Sequence, residues 1–88
     1  MCLGIPGEVV ALLENDVATI SVAGVERAVS VSLLADEGVS VGDWVLVHVG
    51  FALSKIDEAE AAATLDQIQK LGRAWDEELE AFKETSII

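Results

Sequence analysis

A chain of 88 residues and 9.3 kDa has room for one domain with a modest core, because a domain this small buries only about 60–65% of its unfolded surface. That leaves little space for a large substrate cleft with its own cofactor fold, so a complete multi-part enzyme is disfavoured. Sixteen acidic residues against five basic ones give a net charge of −11 with the single His neutral, and no basic face attracts nucleic acid or an anionic membrane.

The excess of acid is shared evenly. Residues 1–56 hold two bases and seven acids, and residues 57–88 hold three bases and nine acids. The single Cys cannot form an internal disulfide, which fits a reducing compartment. The N-terminal residues lack a basic stretch and meet Pro6 and Glu8 early, unlike a signal peptide. The longest apolar run, Trp44 to Leu53, falls well short of the ~20 residues that span a bilayer. The expectation is a soluble cytoplasmic protein.

In chain order, residues 1–7 form a leader. Gly4 and Gly7 free the backbone, and Pro6 fixes one φ. Such a segment can hold Cys2 at the rim of a barrel and let it reach a partner. Val9 to Leu13 is a short apolar strand, and Glu14-Asn15-Asp16 a polar turn. Val17 to Ala23 alternates, with Ala18, Ile20 and Val22 on one face. Gly24 marks a tight hairpin or a bulge. Val25 to Ser32 resumes the alternation, with Val25, Val29 and Val31 together. Leu33 to Val41 is a connection, and Gly42-Asp43 a turn.

Trp44 to Val49 is the strongest strand, with Trp44, Leu46 and His48 on one face and Val45, Val47 and Val49 on the other. Gly50 interrupts it, and Phe51 to Ile56 continues as a fifth strand. Five short strands at close spacing predict a mainly β fold, a small closed or nearly closed barrel without exposed edges.

The period then changes. Asp57 and Glu60 resemble a capping box. Ala61, Leu65, Ile68, Trp75, Leu79 and Phe82 make one apolar stripe, expected to pack on the barrel. Gly72 divides the stripe, predicting helices over roughly 58–71 and 74–84, either separate or continuous. Residues 1–56 are thus a barrel domain bearing the N-terminal Cys, and residues 57–88 a helical extension, one domain overall.

Two residues can carry chemistry. Removal of Met1 would leave Cys2 with a thiol and a free α-amino group on neighbouring carbons. The ammonium form favours the thiolate, the species that binds metal or attacks. His48 can act as a neutral imidazole ligand or as a proton donor to a ligand near Cys2. One Cys and one His do not complete a four-ligand structural zinc site. A soft thiolate suits iron better than calcium or magnesium. Any metal would therefore be coordinated incompletely by this chain and completed by a second protein. No phosphate loop, Ser-His-Asp set or paired-carboxylate constellation is legible.

Met1-Cys2-Leu3-Gly4-Ile5-Pro6-Gly7, followed by Gly42-Asp43-Trp44-Val45-Leu46-Val47-His48-Val49-Gly50-Phe51-Ala52-Leu53, closely resembles the small HypC-type hydrogenase-maturation chaperones. Ile56 to Ala61 resembles the opening of that family's C-terminal helix. The resemblance spans about residues 1–71; the tail after Leu71 matches no family pattern. It implies an OB-fold-like barrel with a helical C-terminus and no enzymatic activity.

It further implies that the protein helps assemble the iron centre of nickel–iron hydrogenases. With a larger iron–sulfur maturation partner, such proteins carry iron as Fe(CN)2CO, bound transiently and shared. They deliver it to the precursor of the hydrogenase large subunit. The family's N-terminal Cys falls on Cys2, expected to ligate the iron, and its motif His falls on His48, expected near the same site. Cys2, Leu3, Gly4, Ile5 and Pro6, with His48 and Phe51, form the expected partner-binding segment. Three other readings compete: a plain interaction barrel that docks a basic partner by its acidic helix, an enzyme with an N-terminal thiol nucleophile, and a nucleic-acid-binding barrel.

Overall fold

Alternation with a period of two turns one face of each strand inward, where β-branched residues pack well. The computed structural model, which describes residues 4–84, contains five such strands: β1 (Ile5–Leu12), β2 (Val17–Val22), β3 (Val25–Ser30), β4 (Trp44–His48) and β5 (Phe51–Ile56). Two helices follow, α1 (Glu58–Lys70) and α2 (Arg73–Glu84). The strands close into a barrel in the order β1-β2-β3-β5-β4, with β4 returning to β1. The pairs are antiparallel except β3–β5, which is parallel and joined at Ser30 and Phe51. The architecture expected from the sequence, a five-stranded barrel followed by helices, is the one observed.

The register explains details that the alternation leaves open. Gly24 belongs to a two-residue hairpin: Val22 pairs with Val25, and Ala23 and Gly24 have φ of 50° and 83°. Two positive φ values in such a loop match the twist of the flanking strands. The bulges lie elsewhere. Val9 opposes Ile20 but Ala11 opposes Thr19, leaving Val10 extra. Leu46 opposes Ser54 but Val47 opposes Ala52, leaving Leu53 extra. A bulge bends its strand and sharpens the twist, which helps so short a set of strands to close.

One boundary is corrected. The first strand does not begin at Val9. It begins at Ile5, and Ile5, Pro6, Gly7 and Glu8 pair with Val47, Leu46, Val45 and Trp44. Pro6 and Gly7 look like breakers in the sequence, but the packing suits them. Pro6 is fully buried. A Cβ on Gly7 would collide with the Ile20 and Val22 methyl groups, so Gly7 provides space rather than an unusual backbone. Gly4 is the residue that uses glycine's freedom, at φ 109°. At the other end of their elements, β3 stops at Ser30 and β4 at His48, earlier than the alternation implied.

The barrel core is built from Ile5, Val9, Ala18, Ile20, Val22, Val29, Val31, Val45, Val47 and Ala52. Leu34, from a single 3₁₀ turn over Ser32–Leu34, and Phe82 of α2 complete it. Ala61 of α1 is fully buried, while Trp75 and Leu79 of α2 pack against the core. Ala61 and the α2 part of the stripe therefore face the barrel, while Ile68 lies at the edge of an open cleft. Asp57 caps α1: its Oδ1 accepts from the Glu60 amide at 2.7 Å. Gly72, at φ 61°, separates α1 from α2. At the far end of α2, Arg27 Nε of β3 donates to the Lys83 carbonyl at 2.7 Å, tying the last turn to the sheet.

Candidate functional site

β4 carries the site, and its start is fixed from two sides. The Gly42 amide donates to the Val9 carbonyl and the Val9 amide to the Asp43 carbonyl, both at 2.8 Å. The Asp43 carboxylate accepts from the Ser40 amide at 2.8 Å and lies 3.3 Å from Lys55 Nζ. The Ser40 amide is the main reason that the Asp43 carboxyl is held below its usual 3.8, with Lys55 adding to the effect against some desolvation. These bonds set where β4 begins, and hence which residues point outward.

Val45 and Val47 point into the core, while Trp44, Leu46 and His48 are partly exposed on the outer face. This is the division that alternation predicts. Val49 departs from it. It does not continue the inward face but forms the β4–β5 turn with Gly50, at φ 52° and 83°, and is 72% exposed. A left-handed backbone is unusual for a β-branched residue, and strain of this kind gathers at functional sites. Across the turn, His48 and Phe51 are direct register partners. Direct partners share a face, so imidazole and exposed phenyl ring stand together beside the strained turn.

The two motifs, some forty residues apart in sequence, meet here as neighbouring strands. Ile5 pairs with Val47, the residue before His48. Gly4 adjoins the same strand; a Cβ on it would come within 3.0 Å of the Val47 carbonyl oxygen. Ile5 and Pro6 are both buried, so in this fold they anchor the leader and are not themselves a free surface. Cys2 and Leu3 lie outside the described residues.

One member of the site was not legible in the sequence. Glu78 of α2 places Oε1 4.0 Å from His48 Nδ1. Ile5, Val47, Val49, Ala81 and Phe82 surround the pair. Nothing in the spacing of α2 marks Glu78 among five acids of that helix; only the docking of Phe82 brings it to β4. Among the described residues no three His, Cys, Asp or Glu side chains come together as a metal site, and no helix is long and apolar enough to cross a membrane.

One half-exposed imidazole with one neighbouring carboxylate does not by itself enclose an ion. The HupF/HypC family model matches residues 1–68, which takes in both motifs and most of α1 and leaves out α2. Hydrogenase maturation factor HypC of Rhodobacter capsulatus is 50% identical over 78 residues, covering 84% of this chain and 81% of that protein. HypC of Helicobacter hepaticus is 42% identical, covering 89% and 90%. HybG of Escherichia coli K12, also a hydrogenase maturation factor, is 45% identical, covering 81% and 92%. These relatives are named for a role in maturation and not for a reaction. On the match of the family model and the coverage of these relatives, the chain belongs to the HupF/HypC family.

Proposed function

We propose that this protein is a non-enzymatic hydrogenase maturation chaperone that carries iron as Fe(CN)2CO and hands it to the precursor of a nickel–iron hydrogenase large subunit. The observation that carries the reading is the pairing of Ile5 with Val47. It puts the leader that follows Cys2 beside the strand that ends in His48. Cys2 precedes Gly4 by two residues, and two residues of chain reach at most about 7 Å.

Cys2 supplies the thiolate, and removal of Met1 gives it the neighbouring ammonium that favours that form. His48 provides an imidazole at the same rim. Cyanide and carbon monoxide already fill several positions on the iron, so one or two protein ligands suffice to hold it. A single thiolate is readily exchanged for the thiolates of the receiving protein. An enclosed four-ligand site would release the iron far more slowly. The remaining coordination comes from a larger iron–sulfur maturation partner, and the compartment is the reducing cytoplasm. The closed order β1-β2-β3-β5-β4 supports an OB-fold-like description of the barrel.

Complementation tests the reading. In a strain lacking its own protein of this family, the wild-type chain should restore hydrogenase activity. Cys2→Ala should not, although it leaves the barrel folded by circular dichroism. Normal maturation with Cys2→Ala would refute the role of the thiolate and favour a plain interaction barrel.

A further inference from the structure

A second feature adjoins the rim of the barrel. Gly4 just before β1, Leu46 of β4 and the two helices line an open cleft of about 690 Å³, large enough for a few side chains of a bound segment. Leu46, Ile68 and Leu71 form its apolar wall. Leu71 is 65% exposed, a large apolar side chain that this fold leaves in water at the junction of the helices. Glu60, Glu77 and Glu78 stand around that wall, and no Lys or Arg lines it. Among the described residues Glu60 and Glu77 make no ion pair, and the ionic contact of Glu78 is with His48.

Charge selects the occupant. A second copy of this chain would bring a net charge of −11 against three carboxylates, and like charges opposed across an interface are unfavourable. A segment with apolar anchors and flanking Lys or Arg meets both halves of the cleft. Its aliphatic anchors cover the Leu46–Ile68–Leu71 wall, and its cationic heads reach the glutamates. Gly4 also lines the cleft, so a segment held there lies next to the leader that follows Cys2.

We infer that this cleft is a docking groove for a short basic, apolar-anchored segment of a partner protein. The inference deepens the assembly-factor reading by naming the chemistry of the partner, and it rests on that reading for which protein presents the segment.

Titration of the ¹⁵N-labelled full chain with synthetic pentapeptides, followed by amide shifts, tests it. The Lys-Leu-Arg-Leu-Lys peptide should move amides of residues 46, 60, 68, 71 and 77 saturably, and less so as salt is added. Glu-Leu-Glu-Leu-Glu and Lys-Ser-Arg-Ser-Lys should bind at least tenfold more weakly. Leu71→Ser and the double variant Glu60→Gln/Glu77→Gln should each weaken binding about three- to tenfold. Val41→Ser, at an exposed apolar residue outside the groove, should not. No saturable shift, equal binding of the acidic peptide, or indifference to the groove variants would overturn the inference. The titration contains no iron, so its failure leaves the cargo reading standing, and failure of Cys2→Ala to block maturation leaves the titration unaffected.

Discussion

Gly7 shows what a single residue decides in this protein. It sits in β1 without a left-handed backbone, yet any side chain there would run into Ile20 and Val22. Both of those side chains are at most 2% exposed, in the middle of the core, and have nowhere to move. Gly7→Ala should therefore lower stability by about 1–3 kcal/mol, the usual cost of overpacking, read as a fall in the urea midpoint with unchanged slope. An unchanged midpoint would mean that β1 does not lie against β2 as described. The same strand carries the leader, so a shift of Gly7 also displaces the segment that follows Cys2. His48 was legible by its place on an alternating strand, whereas Cys2, singled out in the sequence by its place after Met1, lies outside the described residues. Glu78 was not legible, because its meaning depends on a contact between β4 and a helix that follows it by thirty residues.

The elements differ in how openly the sequence announces them. β4 follows the alternation cleanly and β2 nearly so, whereas β3 buries the adjacent Ala28 and Val29. The Asp57 cap and the Gly72 break are read from local chemistry alone. The first turn of β1 was hidden, because Pro6 and Gly7 suit a long-range pairing with β4 that no local rule reports. The bulges at Val10 and Leu53 were hidden for the same reason: each exists only relative to its partner strand. Helix α2 is the least self-sufficient element. It carries five acids in twelve residues, and what holds it is Phe82 in the core, Trp75 and Leu79 packed beside it, and Arg27 on its last turn. Phe82→Ala should cost about 3 kcal/mol or more. It should also expose residues 73–84 to protease while α1, with its own cap and buried Ala61, remains helical. Equal protease resistance of wild type and variant would show that Phe82 is not the anchor of α2.

At the scale of the whole molecule, smallness and acidity suit the proposed role of a carrier. The barrel of five short strands is filled by its own side chains. Its rim instead gathers the leader, His48, Phe51 and an acidic, partly apolar groove. A charge of −11 spread along the chain disfavours binding to a phosphate backbone, and in the reading proposed above partner choice falls to local surfaces such as that groove. Cargo is the property that decides the proposed role. Infrared spectra of the protein purified with its maturation partner should show cyanide and carbon monoxide stretching bands with the wild-type chain and lose them with Cys2→Ala. Bands of equal strength from the variant, or their absence from the wild-type complex, would contradict it.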